Sequence, residues 1–551
     1  MKAYQIPTIP QSITAPTDTV YLVASGDLRL SANQTCWPAQ RELEDKILNL
    51  LSLEGYKVMR AHPYDDALQH GFIWNQRMGM DVFQTNPRDA PVIIAIAVWQ
   101  YSYHVLAGLR DHTGPILTVA SWSGQWPGLV GLLNLNACLT KIGVPYSTLW
   151  SEDFTDHFFV SNFRKWLREG KIEHDASHVR DLDSSKLPSK ECELGIALAR
   201  YLKHRKAILG VFDEGCMGMY NAIIDDELLN HCGIYKERLS QSALLAAMRE
   251  VKDDESKSAR LWLENKGMRF ITGLDEATEL TDTQIDEQLK MYIAAVRIAN
   301  FFKCDAIGIQ YQQGLKDMCA ASDLAEGLLN NVDRPPVYDN MSGEELYPGK
   351  ALPHFNEVDE CAGVDALVTN WVWTAMGLDP ANTLHDLRWG KTYTIDNQEQ
   401  FVWVLEISGA VPPSHLVGGY AGAVSERQPP MYFPKGGGTL KGVSKPGEIV
   451  WSRIFVMGGE LHADIGRGSV IALPKSEIET LWSETTQQWP MMHAILHGVS
   501  RNQMMARHKS NHIHVVYAPN PFMADLALSA KAAMLANLGI KVHICGDVKV
   551  G

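Results

Sequence analysis

The chain contains no CxxC pair, no internal repeat and no low-complexity tract. Its densest apolar run, Val92 to Trp99, is far shorter than the roughly 20 residues that a membrane helix needs. The nine cysteines (Cys36, Cys138, Cys192, Cys216, Cys232, Cys304, Cys319, Cys361 and Cys545) are scattered and odd in number. That pattern argues against a disulfide framework or a zinc knuckle and fits a reducing cytoplasm. The first residues, with prolines at Pro7, Pro10 and Pro16, lack the apolar core of a signal peptide. Secretion and membrane insertion are therefore not expected, and the sequons at Asn33 and Asn340 read as chance matches. Positive charge is also short: 50 Lys and Arg stand against 64 Asp and Glu, a formal net charge of −14. Such a balance disfavours nucleic acid and anionic membrane as partners.

What is present is an ordinary globular composition, 46% hydrophobic and 21% charged over 551 residues. A chain of this size outgrows one core and is expected to form about two to four domains. From about residue 19 to about residue 330, β-branched runs alternate with amphipathic stretches, the pattern of parallel strands joined by crossover helices. Val20–Val23, Pro91–Trp99, Ile116–Val119, Ala207–Val211 and Ala306–Ile309 are near-continuous apolar runs, as strands covered on both faces should be. Leu43, Ile47, Leu50 and Leu51 share one helical face, and Thr281 with Gln284 has the spacing of a capping box at the start of a long helix.

Residues 174–190 are charged and poor in large apolar side chains, as a linker would be. Beyond residue 360 the strand-like segments Phe401–Ile407, Glu448–Met457 and Ile513–Tyr517 predict a mainly antiparallel, barrel-like β region. The Gly- and Pro-rich stretch 409–447 reads equally as an active-site loop or as a plain connector. The expected fold class is α/β: two Rossmann-like units with parallel sheets over 1–175 and 176–355, then a mainly β domain over 356–551.

Two segments carry candidate chemistry. In Ser510-Asn511-His512-Ile513-His514, the histidines lie two apart and would share one face of a strand. Asn356-Glu357-Val358-Asp359-Glu360 is rich in carboxylates, and Asp386 follows Glu357 by 29 residues. Taken singly, such histidine pairs are usually packed and such acidic runs usually solvated. Taken together, two carboxylates and an imidazole form an oxygen-rich donor set suited to Mn²⁺ or Mg²⁺.

These residues resemble a pattern of the L-fucose isomerase-like sugar isomerases. Glu357 has Gly363 six residues on, Asp386 precedes Leu387-Arg388, and Asn511 precedes His512. Further segments follow in the same order: Val211 to Ile224 with Met217-Gly218, Gly308 to Gln312, Ala325 to Asn330, Trp126-Pro127-Gly128, Arg453 and Trp489-Pro490. The resemblance implies an aldose–ketose isomerase with Glu357, Asp386 and His512 as metal ligands and the two carboxylates as the acid/base pair. It implies Mn²⁺ as cofactor, with Mg²⁺ or Co²⁺ as substitutes, and a homohexamer with sites at subunit interfaces. Gln310, Met217 and Asn511 would touch the sugar, and Arg29 and Trp99 would reach a neighbouring subunit's site. A buried aromatic at a strand end is the equal alternative for Trp99.

The departures from the family are informative. An aromatic stretch before Asn-His is replaced by Arg507-His508-Lys509, a family Tyr after the triple glycine by Thr439 or its neighbour, and a family Trp by His493. Cationic groups in a sugar pocket suit a fixed anion. The expected substrate is therefore a hexose, leaning to a C6-sulfonated one such as sulfoquinovose, or else L-fucose or D-arabinose. Ordinary pairing of Arg507 and Lys509 with carboxylates is the alternative. A non-catalytic sugar-binding protein, or a metal-dependent aldolase or epimerase, would carry the same ligands.

Overall fold

The computed structural model describes residues 4–8, 13–215 and 217–549; Cys216 lies outside them. The described chain forms two compact units, one running up to Ser121 and including Val144–Glu173, the other comprising Trp122–Gly143 and the chain from His174 onward.

The first unit holds five strands: β1 Thr19–Val23, β2 Lys57–Arg60, β3 Val92–Ile96, β4 Ile116–Ser121 and β5 Ser147–Ser151. All pair in parallel in the order β2-β1-β3-β4-β5. Every residue of β1, β3 and β5 is buried, which explains why their sequences lack a polar alternation. At the edge, β2 alternates exposed and half-buried residues and carries Lys57 and Arg60, which discourage pairing with another chain. The helix Leu30–Leu53 buries Leu43, Ile47 and Leu51, three of the four residues expected on its apolar face.

The second unit contains β6 Val179–Asp181, β7 Ala207–Phe212, β8 Ile234–Leu239, β9 Arg269–Phe270 and β10 Ala306–Ile309. They are followed by β11 Asn382–Ile395, β12 Gln398–Glu406, β13 Val424–Ser425, β14 Gly447–Met457, β15 Glu460–Val470, β16 Met491–Leu496, β17 His512–Ala518 and β18 Lys541–Cys545. A small parallel sheet has the order β10-β7-β8. The helix Asp282–Phe302 feeds β10, and its capping box forms as expected: Thr281 Oγ1 accepts from Gln284 N while Gln284 Oε1 accepts from Thr281 N.

Six strands close antiparallel in the order β14-β17-β11-β12-β16-β15, with β14 and β15 paired along their whole length. This is the barrel-like region expected from the sequence. Its helical content is larger than expected: Glu360–Ala375, Lys475–Glu484, Arg501–Arg507 and Pro521–Leu538 are helices. The last is apolar nearly all round and largely buried, so its sequence shows no helical stripe to read. The expected linker at 174–190 is corrected as well. It carries β6, which pairs antiparallel with β18, and the charged Arg180 and Asp181 are exposed on that sheet edge.

Within the stretch 409–447, Gly438 N donates to Gln288 Oε1 and Gly438 O accepts from Gln288 Nε2. We propose the division into 1–175, 176–355 and 356–551, its last boundary resting on the change from parallel to antiparallel pairing.

Close helix packing offers a test. A Cβ on Gly195, in the helix Ser189–Arg205, would stand 2.5 Å from Ala530 O and 2.6 Å from Ala533 Cβ in Pro521–Leu538. Both helices would have to move apart. Gly195→Ala should cost about 1–3 kcal/mol of stability despite its better helix propensity, read as a lower midpoint in urea unfolding. An unchanged or raised midpoint would show that the contact is slack.

Candidate functional site

The barrel register brings two of the expected residues together directly. Asp386 of β11 and His512, the first residue of β17, are antiparallel partners. The third arrives on a tight turn before the helix Glu360–Ala375. Glu357 and Val358 both have left-handed backbones, at φ 58° and 53°. Successive left-handed residues are unusual outside glycine, and a β-branched valine there is strained by about 1–3 kcal/mol. The turn holds Glu357 Oε2 3.5 Å from His512 Nε2, and Asp386 Oδ1 stands at the same distance from that nitrogen.

Asp359, two residues after Glu357, organises this arrangement. Its Oδ1 accepts from Ala362 N at 3.0 Å and so caps the helix, while its Oδ2 accepts from Arg453 Nη1 at 2.6 Å and from His512 Nδ1 at 2.7 Å. All three side chains are at most 1% exposed. With Nδ1 committed as donor to Asp359, His512 presents Nε2 to Glu357 and Asp386. His508 Nε2 donates to the His512 carbonyl at 2.8 Å and steadies the start of β17.

The electrostatics follow from burial against charge. Burial would raise the Asp359 carboxyl, but the Arg453 charge and the His512 hydrogen bond hold it below the usual range. Burial opposes the His512 imidazolium, yet hydrogen bonds to Asp359 and Glu357 and the charges of Asp359 and Asp386 lift its pKa to about 10. Burial pushes Asp386 up to about 6 against the pull of His512. Nearby, burial raises Asp323 to about 8 and Glu326 well above the carboxylate range, so both are held as neutral acids. Asn356 Nδ2 and Ser322 Oγ donate to the two oxygens of Glu326.

The remaining expected residues divide. Asn511 is drawn into the cluster, with Nδ2 3.5 Å from Asp386 Oδ1 and 3.1 Å from Met219 Sδ. Gln310 is buried just past β10, donating to Gly215 O at 2.6 Å and accepting from Gln312 N at 3.2 Å. Met217 is buried on the same strained stretch as Gly215, at φ 25°. His514 separates from His512: its Nε2 meets Asn382 Oδ1 at 2.8 Å, and its other nitrogen faces Asp365. Arg29 and Trp99 lie in the first unit, where Arg29 is buried against Asp27 and Trp99 packs edge-on to Tyr101.

The basic segment is largely spoken for. Arg507 grips Asp464 through two bonds of 2.7 and 2.8 Å and lies over the Phe455 ring. Burial lowers His508 to about 3 and His493 to about 4, so both are neutral, and His493 Nε2 lies 3.0 Å from Met491 Sδ. Half-buried Lys509 donates to Ala506 O at 3.2 Å. Thr439 is buried and meets the Glu426 backbone.

Sequence reasoning gave no role to Asp359 beyond membership of the acidic run, and none to Arg453. The signal available was Asp359's place immediately before an apolar helical stretch, where an Asp caps well. Its link to residues 94 and 153 positions further on is not a local property.

Among the described residues, no group of three His, Cys, Asp or Glu stands ready-made in metal-holding geometry. The chemistry of the Glu357, Asp386 and His512 donors nonetheless suits a hard divalent cation: two carboxylates face one imidazole nitrogen whose opposite nitrogen is already occupied. Donors around such an ion at about 2.0–2.2 Å stand roughly 3–3.5 Å apart, the spacing His512 Nε2 keeps from each carboxylate.

Residues 424–534 match the family model of the L-fucose isomerase C-terminal domain. The matched span includes β14 to β17 and His512, and ends before Lys541. Over that span the chain is similar to the C-terminal domain of the L-fucose isomerases. No curated protein matches the chain. Among the described residues no helix is long and apolar enough to cross a membrane.

Asp359→Asn tests the arrangement. The change preserves shape but leaves the Arg453 guanidinium buried beside a neutral amide, which typically costs about 3–5 kcal/mol. Urea unfolding of the purified variant should show that loss; a midpoint equal to wild type would show that the pair contributes nothing.

Proposed function

We propose that the protein is an aldose–ketose isomerase acting on a hexose, with Glu357 and Asp386 as its acid/base pair. The observation that supports this most directly is the convergence of those two carboxylates on one face of a single oriented imidazole. A binding protein needs hydrogen-bond partners for hydroxyls, whereas two opposed carboxylates can remove a proton and return it.

The open-chain aldose would bind with O1 and O2 toward His512 and its C2–H between the carboxylates. One carboxylate takes the C2 proton while O1 gains a proton, giving the enediol. The O2 proton then leaves as C1 is protonated, so that the net change moves two hydrogens from C2 and O2 to C1 and O1. Asn511, through its contact with Asp386, would hold that carboxylate in position. Asp386's raised pKa, about 6, suits a group that must alternate between protonated and ionised forms near neutrality. Asp359 and Arg453 keep His512 fixed throughout.

Glu357, Asp386 and His512 would hold the divalent ion, Mn²⁺ with Mg²⁺ or Co²⁺ as substitutes, which supplies Lewis-acid stabilisation of the charge developing on O1 and O2. A homohexamer in a reducing cytoplasm remains part of this reading, as does a reach of Arg29 and Trp99 into a neighbouring subunit's site. The sulfonated hexose suggested by the basic segment draws less support than a neutral one. Arg507 already has its carboxylate, and His508 and His493 are neutral.

The test is NMR of the Mn²⁺-loaded protein in D₂O with L-fucose, D-arabinose, L-arabinose, D-glucose and sulfoquinovose. Ketose carrying solvent deuterium from at least one sugar is the expected result. Glu357→Gln should lower that turnover at least a hundredfold without unfolding the protein, because it removes a base and a charge. Turnover close to wild type in the variant would sink the assignment, and absence of ketose from every sugar would favour a binding protein.

A further inference from the structure

Glu360 opens the helix Glu360–Ala375, one residue after Asp359 and three after Glu357, and its side chain is fully buried. It turns inward to Lys236 of β8, whose ammonium stands 3.0 Å from one of its oxygens and 2.9 Å from the other. Glu360 Oε2 also accepts from Ile224 N at 2.7 Å. Lys236 is 2% exposed and gathers two further carboxylates, Glu214 at 3.1 Å and Asp226 at 3.4 Å, both of them open to solvent. Burial raises the Glu360 carboxyl to about 7 while Lys236 pulls it back, and with donors at both oxygens the contacts hold its ionised form.

A buried ion pair is weak evidence for stability, because removing both charges from water offsets their attraction. What this pair does provide is a fixed geometry between segments 124 residues apart. The segment that Glu360 grips at Ile224 is under strain. After β7 the backbone is left-handed at Asp213, Gly215, Met217 and Gly218, with φ 63°, 101°, 25° and 78°. Non-glycine residues keep such conformations only where surrounding contacts dictate them. Those contacts are present: Gln310 and Gln313 donate to Gly215 O, Lys141 donates to Tyr220 O and Ile223 O, and Glu360 takes Ile224 N.

The same segment reaches the candidate site from the other side. Met219 Sδ accepts from Asn511 Nδ2 at 3.1 Å, and that amide stands 3.5 Å from Asp386 Oδ1. Glu360 therefore has the Glu357 turn immediately before it and, through Ile224, the segment that leads to Asp386. We infer that Glu360, held by Lys236, is a positioning residue that sets the separation of Glu357 and Asp386. It acts through the backbone at Ile224 and through the turn, not by touching the sugar. The inference deepens the isomerase reading and rests on it for what that separation serves.

Variants measured at pH 8, where Glu360 is ionised, separate positioning from stability. Glu360→Met keeps the bulk and loses both contacts. Glu360→Asp keeps the charge but draws it back by one methylene, and Glu360→Gln keeps an acceptor for Ile224 N. Glu214→Gln removes an exposed partner of Lys236 and is the control. With a sugar that the wild-type protein isomerises, in saturating Mn²⁺, Glu360→Met and Glu360→Asp should lower kcat about ten- to a hundredfold and change KM less than about twofold. Glu360→Gln should recover most of that rate, and Glu214→Gln should match wild type. Calorimetry with Mn²⁺ alone should show binding about tenfold weaker in Glu360→Met and Glu360→Asp and close to wild type in the other two.

Urea unfolding reports which variants are folded, and Glu360→Asp keeps the result readable if Glu360→Met is not. Wild-type kcat and Mn²⁺ affinity in Glu360→Asp would overturn the inference, as would losses of equal size in Glu214→Gln. Rates that follow the urea midpoints, whatever acceptor stands at position 360, would overturn it too. Mn²⁺ binding weakened in the expected order, in a protein that turns over no aldose, would uphold the positioning while removing the isomerase reading. Turnover unaltered by every change at position 360 would do the reverse.

Discussion

One carboxylate oxygen links the elements of the candidate site. Asp359 Oδ2 receives hydrogen bonds from Arg453 on β14 and His512 on β17, while its Oδ1 caps the helix Glu360–Ala375. Taking an arginine, an aspartate and a histidine out of water costs several kcal/mol per charge unless each is paired and hydrogen-bonded. The fold meets that requirement with charge-assisted bonds of 2.6 and 2.7 Å, so the position of His512 is set by electrostatics as much as by packing. The same carboxylate lies two residues from Glu357, and the strained turn between them has little freedom to move.

This constraint has a chemical consequence. An imidazole bonded firmly at Nδ1 can present only Nε2, and the two carboxylates that face Nε2 come from segments bound to the same scaffold, one across a β ladder and one on the capped turn. Burial and charge then act in opposite directions on neighbouring groups: Asp386 rises to about 6 while Asp359 stays ionised.

The basic segment 507–509 shows how composition can mislead. Three positively chargeable residues in succession suggest an anion site, yet Arg507 has a dedicated partner in Asp464, 43 residues earlier, and burial keeps His508 neutral. Charge in sequence becomes charge in a pocket only where no nearer counter-ion exists and water is not fully excluded. Neither condition can be judged from the chain alone.

The α/β class, the parallel strands of the first unit, the capped start of the helix Asp282–Phe302 and the barrel strands were legible in the chain alone, because these rest on local periodicity and on side chains that bond to their own backbone neighbours. Short motifs in a shared order also pointed to Glu357, Asp386 and His512. The helix Pro521–Leu538 was illegible because burial on nearly every face erases the polar stripe, and β6 because an edge strand looks like a charged linker. That Asp359 and Arg453 orient His512, that Arg388 leaves the ladder, and that Arg507 turns to Asp464 emerges once the chain is folded. Each of these depends on partners brought together from distant parts of the chain by strand register and burial, and neither is encoded in the residues flanking them.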